Sequence, residues 1–179
     1  MPSRDEGHGV RDTAVTAMLL AVATALGYAE AVLLPSLPVP GLKLGLANVA
    51  VVIALATVGS ARAGVVSVGR VFLVALATGT VGGPTMVLAL SGAVASWAVM
   101  SGLARKPSEF SVIGWSLAGA SAHVIGQLAA AVVITASPAA IMLLPFAMSL
   151  ALMTGTVVGL ISHLLLSRVP ALRAGYAGG

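Results

Sequence analysis

The sequence predicts an all-α, polytopic membrane protein, a bundle of six transmembrane helices. Three observations predict it. Hydrophobic residues make up 59% of the 179 positions and charged residues only 8%, with a mean hydropathy of +1.08. A soluble domain carries roughly 25% charged residues to cover its surface, so the solvent of this chain is mostly lipid. The apolar stretches are long and continuous instead of alternating at period two. In lipid the backbone must satisfy its own hydrogen bonds, and continuous runs do so as helices rather than as a barrel. Finally, the basic residues stand singly between apolar segments, as topology signals do. The formal charge of +4 therefore does not describe a nucleic-acid surface, and no nucleic-acid partner is expected.

Charges, prolines and glycine clusters divide the chain into six spans. The first runs from about Thr13 to Leu34 and stops at Pro35-Ser36-Leu37-Pro38-Val39-Pro40-Gly41, where three prolines remove backbone donors and restrict their predecessors. Its length, and the acidic Asp5, Glu6 and Asp12 diluting Arg4 and Arg11, mark a retained helix rather than a cleaved signal. The second span covers about Leu42 to Val58, ending at Gly59-Ser60-Ala61-Arg62, and the third about Ala63 to Thr78, before Gly79-Thr80-Val81-Gly82-Gly83-Pro84. The fourth is Thr85 to Leu103, followed by the polar Arg105-Lys106-Pro107-Ser108-Glu109; the fifth runs from about Val112 to Thr135 and the sixth from Ala139 to Leu166. This leaves a tail of residues 1–12, a six-helix domain of 13–166 and a tail of 167–179.

Crossing a hydrocarbon core takes roughly 20 helical residues, and the second and third spans fall short, so a re-entrant pair is the alternative there. Loop charge argues for six crossings. Arg62, Arg105, Lys106, Arg168 and Arg173 all fall in loops or ends that six crossings put on one side, and the loops after spans three and five carry no charge. The positive-inside rule then places both termini in the cytoplasm, with the chain in a bacterial cytoplasmic membrane. Lys43, in the proline-rich outer loop, is the one exception.

Ionisable groups within membrane spans usually mark a site or a pathway. Here they are Glu30, Lys43, Arg70 and His123, joined by the polar, uncharged Asn48 and Gln127; His123 and Gln127 are four residues apart on one helix face. Simpler roles compete with a shared site: Glu30 pairing with Lys43 across the loop, Arg70 snorkelling to the headgroups, His123 as a satisfied core histidine. Taken together the six would line one polar cavity, in which two cations against one carboxylate favour an anionic ligand. Trp97, Trp115 and Tyr28 are packing or interface residues, and His163 has no assigned role. In the first span Ala17, Ala21, Ala25 and Ala29 form a ladder of small side chains that lets another helix approach closely; an alanine-rich chain also produces such ladders by chance. Gly155 and Gly159 form a second small pair, suited to internal packing.

With no cysteine, disulfides and thiolate metal sites are excluded. No G-x-x-x-x-G-K-[ST] loop is present to cradle a nucleotide. The only aspartates are Asp5 and Asp12, both in the tail, so the carboxylate cluster that would hold Mg²⁺–diphosphate is missing. Neither a catalytic residue set nor a cofactor or metal is expected, and the chain is read as a non-enzyme.

The segment Pro40-Gly41-Leu42-Lys43-Leu44-Gly45-Leu46-Ala47-Asn48 resembles the P-G-[IV]-K-L-G-L-A-N signature of the membrane family named heptaprenyl diphosphate synthase component I, also called the Gx transporter family. Tyr28-Ala29-Glu30, Arg70 and Ala122-His123-Val124-Ile125-Gly126-Gln127 match further, the last against a pattern close to A-H-N-x-G-Q; Val124 departs from its asparagine. The resemblance extends from about Thr13 to Leu166. It implies a fold similar to the substrate-binding S components of energy-coupling factor (ECF) vitamin transporters, in which an alanine ladder on helix one docks onto a coupling subunit that works with ATPases. The expected function is thus a membrane-embedded, S-component-like binding subunit for a small anionic or amphiphilic molecule. The alternative is a noncatalytic membrane subunit associated with heptaprenyl diphosphate or menaquinone biosynthesis, and a purely structural membrane protein is the third reading.

Overall fold

The computed structural model describes residues 4–33, 45–106, 108–170 and 172. Six α-helices and one 3₁₀ segment follow in order: α1 (Arg4–Leu33), α2 (Ala47–Thr57), α3 (Ser60–Ala77), α4 (Pro84–Leu103), α5 (Val112–Thr135), the 3₁₀ turn Pro138–Leu143 and α6 (Leu144–Arg168). No strand occurs among the described residues. Among the described residues five helices are long and apolar enough to cross a membrane, counting the 3₁₀ turn and α6 as one span. The protein is therefore a multi-pass helical membrane protein. α2, with 11 residues, is about 16 Å long at 1.5 Å per residue, roughly half a hydrocarbon core.

Burial is inverted relative to a soluble protein. Only 17–33% of each candidate span is buried inside the molecule. Leu33, Leu76, Val133, Met142 and Met153 lie on the outside, where apolar side chains meet lipid at no cost. α2 is the exception. Ala47 and every residue from Val49 to Leu55 are buried, because α2 is packed by α1, α3, α5 and α6. The main core cluster accordingly gathers Val49–Leu55 with Leu19, Ala63, Val66, Met100, Trp115 and Leu166.

α1 and α3 run parallel. Asp12 pairs with Arg62 at 2.7 Å, a methyl of Leu20 stands 3.1 Å from where a Cβ on Gly69 would lie, and Gly27 faces Val74 at 3.2 Å. The chain must return between them, and α2 makes the last part of that return before the short Val58-Gly59 turn. At the same end the Ser60 hydroxyl donates to the Ser101 hydroxyl (2.8 Å) and the Trp97 indole N–H donates to the Ser60 carbonyl (2.9 Å). On the other side of the bundle α4, α5 and α6 close up through glycine. A Cβ on Gly126 would meet the Ser91 carbonyl oxygen at 2.8 Å, and one on Gly159 the Ile113 Cα at 2.9 Å. Gly155 and Gly159 pack α6 against α5, the internal role their spacing suggested. Boundaries differ from the sequence reading at both short helices, α2 beginning at Ala47 rather than Leu42 and α3 at Ser60 rather than Ala63, and at two further places. α1 begins at Arg4, nine residues before the apolar run, and the sixth span is broken by the 3₁₀ turn, with proline near the start of both that turn and α6.

Candidate functional site

Three of the expected site residues come together where α1, α2 and α3 meet. Glu30, 4% exposed, accepts the Leu46 backbone N–H through Oε1 at 2.5 Å. Leu46 immediately precedes α2, so the carboxylate takes one of the donors that a helix N-terminus leaves unsatisfied and sits at the positive end of the helix dipole. Arg70 is buried in the middle of α3 and donates from Nη2 to Asn48 Oδ1 at 2.7 Å. Glu30 lies within electrostatic reach of the guanidinium. Arg70 therefore points inward and does not snorkel. Its Nε has no hydrogen-bond partner among the described residues, although a buried donor left unmade costs about 1–3 kcal/mol, more when charged. An arginine fork half-engaged by an asparagine is suited to an anionic or strongly accepting group.

His123 and Gln127 form a second group on α5. Both bear on Gly92 of α4: a Cβ there would lie 2.7 Å from His123 Nε2 and 2.8 Å from Gln127 Cγ. α4 links the two groups. The Ser67 hydroxyl, three residues before Arg70, donates to the carbonyl of Ala93 (3.2 Å), the neighbour of Gly92. Lys43 lies outside the described residues, and with it the expected Glu30–Lys43 pairing. Among the described residues, the fixed charges at the α1–α2–α3 junction are one carboxylate and one guanidinium.

Sequence reasoning missed a polar seam below Asn48. Gly45, Asn48 and Val52 face Ser96 and Met100 of α4, Ser116 and Ala120 of α5, and Thr154, Gly155 and Val158 of α6 around a cavity of about 20 Å³. Serine and threonine in apolar helices are common enough that composition did not single these out. Their joint position across four helices is a tertiary fact.

The ladder residues lie where no internal helix needs them. Ala17, Ala21 and Ala25 are exposed and Ala29 half-exposed, while the inward face of α1 carries Leu19, Ala23, Gly27 and Glu30.

A helical membrane bundle with a buried Arg–Asn–Glu junction defines the class. Over residues 19–165 the chain matches the model of the family described as heptaprenyl diphosphate synthase component I, and it belongs to that family. No curated protein and no solved structure matches the chain.

Proposed function

We propose that this protein is the membrane-embedded, substrate-binding subunit of a transporter, similar to an ECF S component, for a small anionic or amphiphilic molecule. The observation that carries the reading is Arg70. A guanidinium buried in a membrane helix with one donor uncommitted is retained at a stability cost, and a ligand that accepts from it accounts for that cost. Lys43, in the sequence motif that leads to Asn48, is proposed as a second cation for the ligand, and His123 with Gln127 as polar contacts from α5. The exposed alanine face of α1 would receive a coupling subunit, since small side chains let helices meet at short range. The transport step would draw on ATPases bound to that subunit. The setting is a bacterial cytoplasmic membrane with both termini in the cytoplasm, six crossings, and short terminal tails at 1–12 and 167–179.

The family description favours a second reading, a noncatalytic membrane component that handles a prenyl diphosphate beside a separate synthase. Arg70 also suits a diphosphate. Affinity purification from native membranes in mild detergent, followed by native mass spectrometry, separates the two. The transporter reading expects a membrane coupling subunit, ATPases and a bound small molecule, with the small molecule lost in Arg70→Met. Recovery of a soluble aspartate-rich synthase without ATPases would replace it by the second reading.

A further inference from the structure

The seam below Asn48 has the makings of a site that neither the Arg70 junction nor the packing accounts for. Ser96 is 2% exposed, lines the cavity, and its hydroxyl makes no hydrogen bond among the described residues. The other polar groups around it are committed on one side only. Ser116 donates to the Gly155 carbonyl (2.8 Å) and Thr154 to the Ala151 carbonyl (3.3 Å), so both oxygens keep lone pairs for an incoming donor. Asn48 accepts from Arg70 through Oδ1, which directs its Nδ2 amide away from that pair. That Nδ2 lies 3.4 Å from the position of a Cβ on Gly45, and Gly45 lines the same cavity. Gly45 has φ +74°, a conformation that glycine adopts without strain, and its missing side chain leaves room beside the amide.

The seam also sits deep. Ser96 is 12 residues from the Pro84 end of α4 and seven from the Leu103 end, about 18 and 10 Å at the helical rise. Ser116 is only four residues into α5. The cavity thus extends from Asn48 toward the end where α4 turns into α5.

We propose that this seam is a second ligand subsite, which takes an uncharged hydrogen-bonding group the size of a hydroxyl or a carbonyl, on a molecule whose acidic group pairs with Arg70. The inference rests on the reading of Arg70 as a ligand site and specifies the other end of the ligand. No charged residue lines the seam, and a second charge would enter it without a counter-ion, at a cost of several kcal/mol. At about 20 Å³ the seam has room for one water-sized group and no more, which excludes an isoprenoid chain. Asn48 ties the two ends together, one amide oxygen on Arg70 and the amide nitrogen toward the seam. The ligand is then a short molecule with an acidic end and a neutral polar end.

The chain has no cysteine, so single-cysteine variants give an unambiguous signal. The probe is hydrogen peroxide, uncharged and close to water in size, applied to the protein in proteoliposomes; oxidation of the thiol to the sulfenic acid, with release of water, is counted by mass spectrometry against the total in SDS. Ser96→Cys and Thr154→Cys are expected to react roughly tenfold or more faster than Ser162→Cys, fully buried outside the seam, because reactivity follows access. Ala120→Leu, filling the seam, is expected to bring Ser96→Cys down to the Ser162→Cys rate. In ligand-free protein Ser96→Ala is expected to leave the melting temperature unchanged or raise it, since it removes a buried hydroxyl without a partner. If both seam cysteines react no faster than Ser162→Cys, the cavity is sealed and the proposal is overturned. A clear fall in melting temperature for Ser96→Ala also overturns it, showing a permanent structural water bound there instead. Neither readout involves a coupling subunit. Slow oxidation beside co-purified ATPases would remove the subsite and leave the transporter, whereas fast oxidation with no ATPases would leave a binding site on an uncoupled protein.

Discussion

Glu30 acts through two properties, charge toward Arg70 and an oxygen that accepts the Leu46 N–H, and substitution separates them. Glu30→Gln keeps an acceptor and loses the charge; Glu30→Ala loses both and leaves the part-buried Leu46 donor without this partner. Removing one side of a buried hydrogen bond costs about 1–3 kcal/mol, so Glu30→Ala is expected to be less stable than Glu30→Gln by an amount in that range. Thermal unfolding in one detergent, read by loss of monodisperse elution, compares them; equal melting temperatures would show that the bond contributes nothing. Glu30, Asn48 and Arg70 were legible in the sequence because polar residues in apolar spans stand out. Their partners were not. Glu30 meets the backbone N–H of Leu46 at the start of α2, a partner that no side-chain inventory contains; the expected pairing with Lys43 lies outside the described residues. Ser96 escaped notice for the opposite reason: a lone serine among alanines and valines is unremarkable until four helices bring it beside Asn48.

At the scale of elements, close helix approach is carried by glycines whose missing side chains meet backbone. A Cβ at Gly126 would press on the Ser91 carbonyl oxygen at 2.8 Å and the Ala95 methyl at 2.9 Å, whereas one at Gly102 meets nothing within 4 Å. Gly126→Ala is therefore expected to destabilise by about 1–3 kcal/mol through overpacking, and Gly102→Ala to stabilise by about 0.5–1 kcal/mol through helix propensity. The two changes are chemically identical, so opposite shifts in melting temperature isolate packing from propensity; shifts of the same sign would contradict the packing account. A smaller effect belongs to the end of α5. Ala136 adopts φ 49°, ψ 31° as its C-cap, a left-handed conformation that costs an L-residue roughly 1–2 kcal/mol. Ala136→Gly should raise stability by about 1 kcal/mol, measurable in the same unfolding assay. α5 matched its expected bounds, Val112–Thr135, because Ser111 caps it by accepting from the Gly114 N–H (3.2 Å) and its apolar run stops at Ala136. α1 did not match, because the apolar pattern reports where lipid begins, while Arg4–Asp12 continue the backbone ladder in polar sequence. The break before α6 was also hidden, since Pro145 sits within the apolar run from Ala139 to Leu166 that hydropathy reads as one helix.

For the whole molecule, hydropathy foretold a helical membrane bundle because lipid leaves the backbone few alternatives. It could not fix how α2 relates to the membrane, since a fully buried helix needs apolar residues whether or not it crosses. The contacts supply an ordering that composition lacks. The Asp12–Arg62 pair and the Ser60–Ser101 bond bring the start of α1, the start of α3 and the end of α4 together. The Gly159–Ile113 approach adds the start of α5 and the later half of α6. Arg62, Arg105, Lys106 and Arg168 therefore gather at one end of the bundle, and the 78–83 and 136–137 connections at the other carry no charge. If the positive-inside rule governs this chain, the charged end faces the cytoplasm. The absence of native cysteine again makes the test direct. Val81→Cys, exposed in the uncharged connection, is expected to react with a membrane-impermeant maleimide in intact cells. Ser108→Cys, exposed beside Lys106, is expected to react only after the membrane is opened. The reverse pattern would invert the orientation. Labelling of both in intact cells would show that α4 does not separate its two ends across the bilayer, and the multi-pass arrangement drawn from its length would fail at that helix.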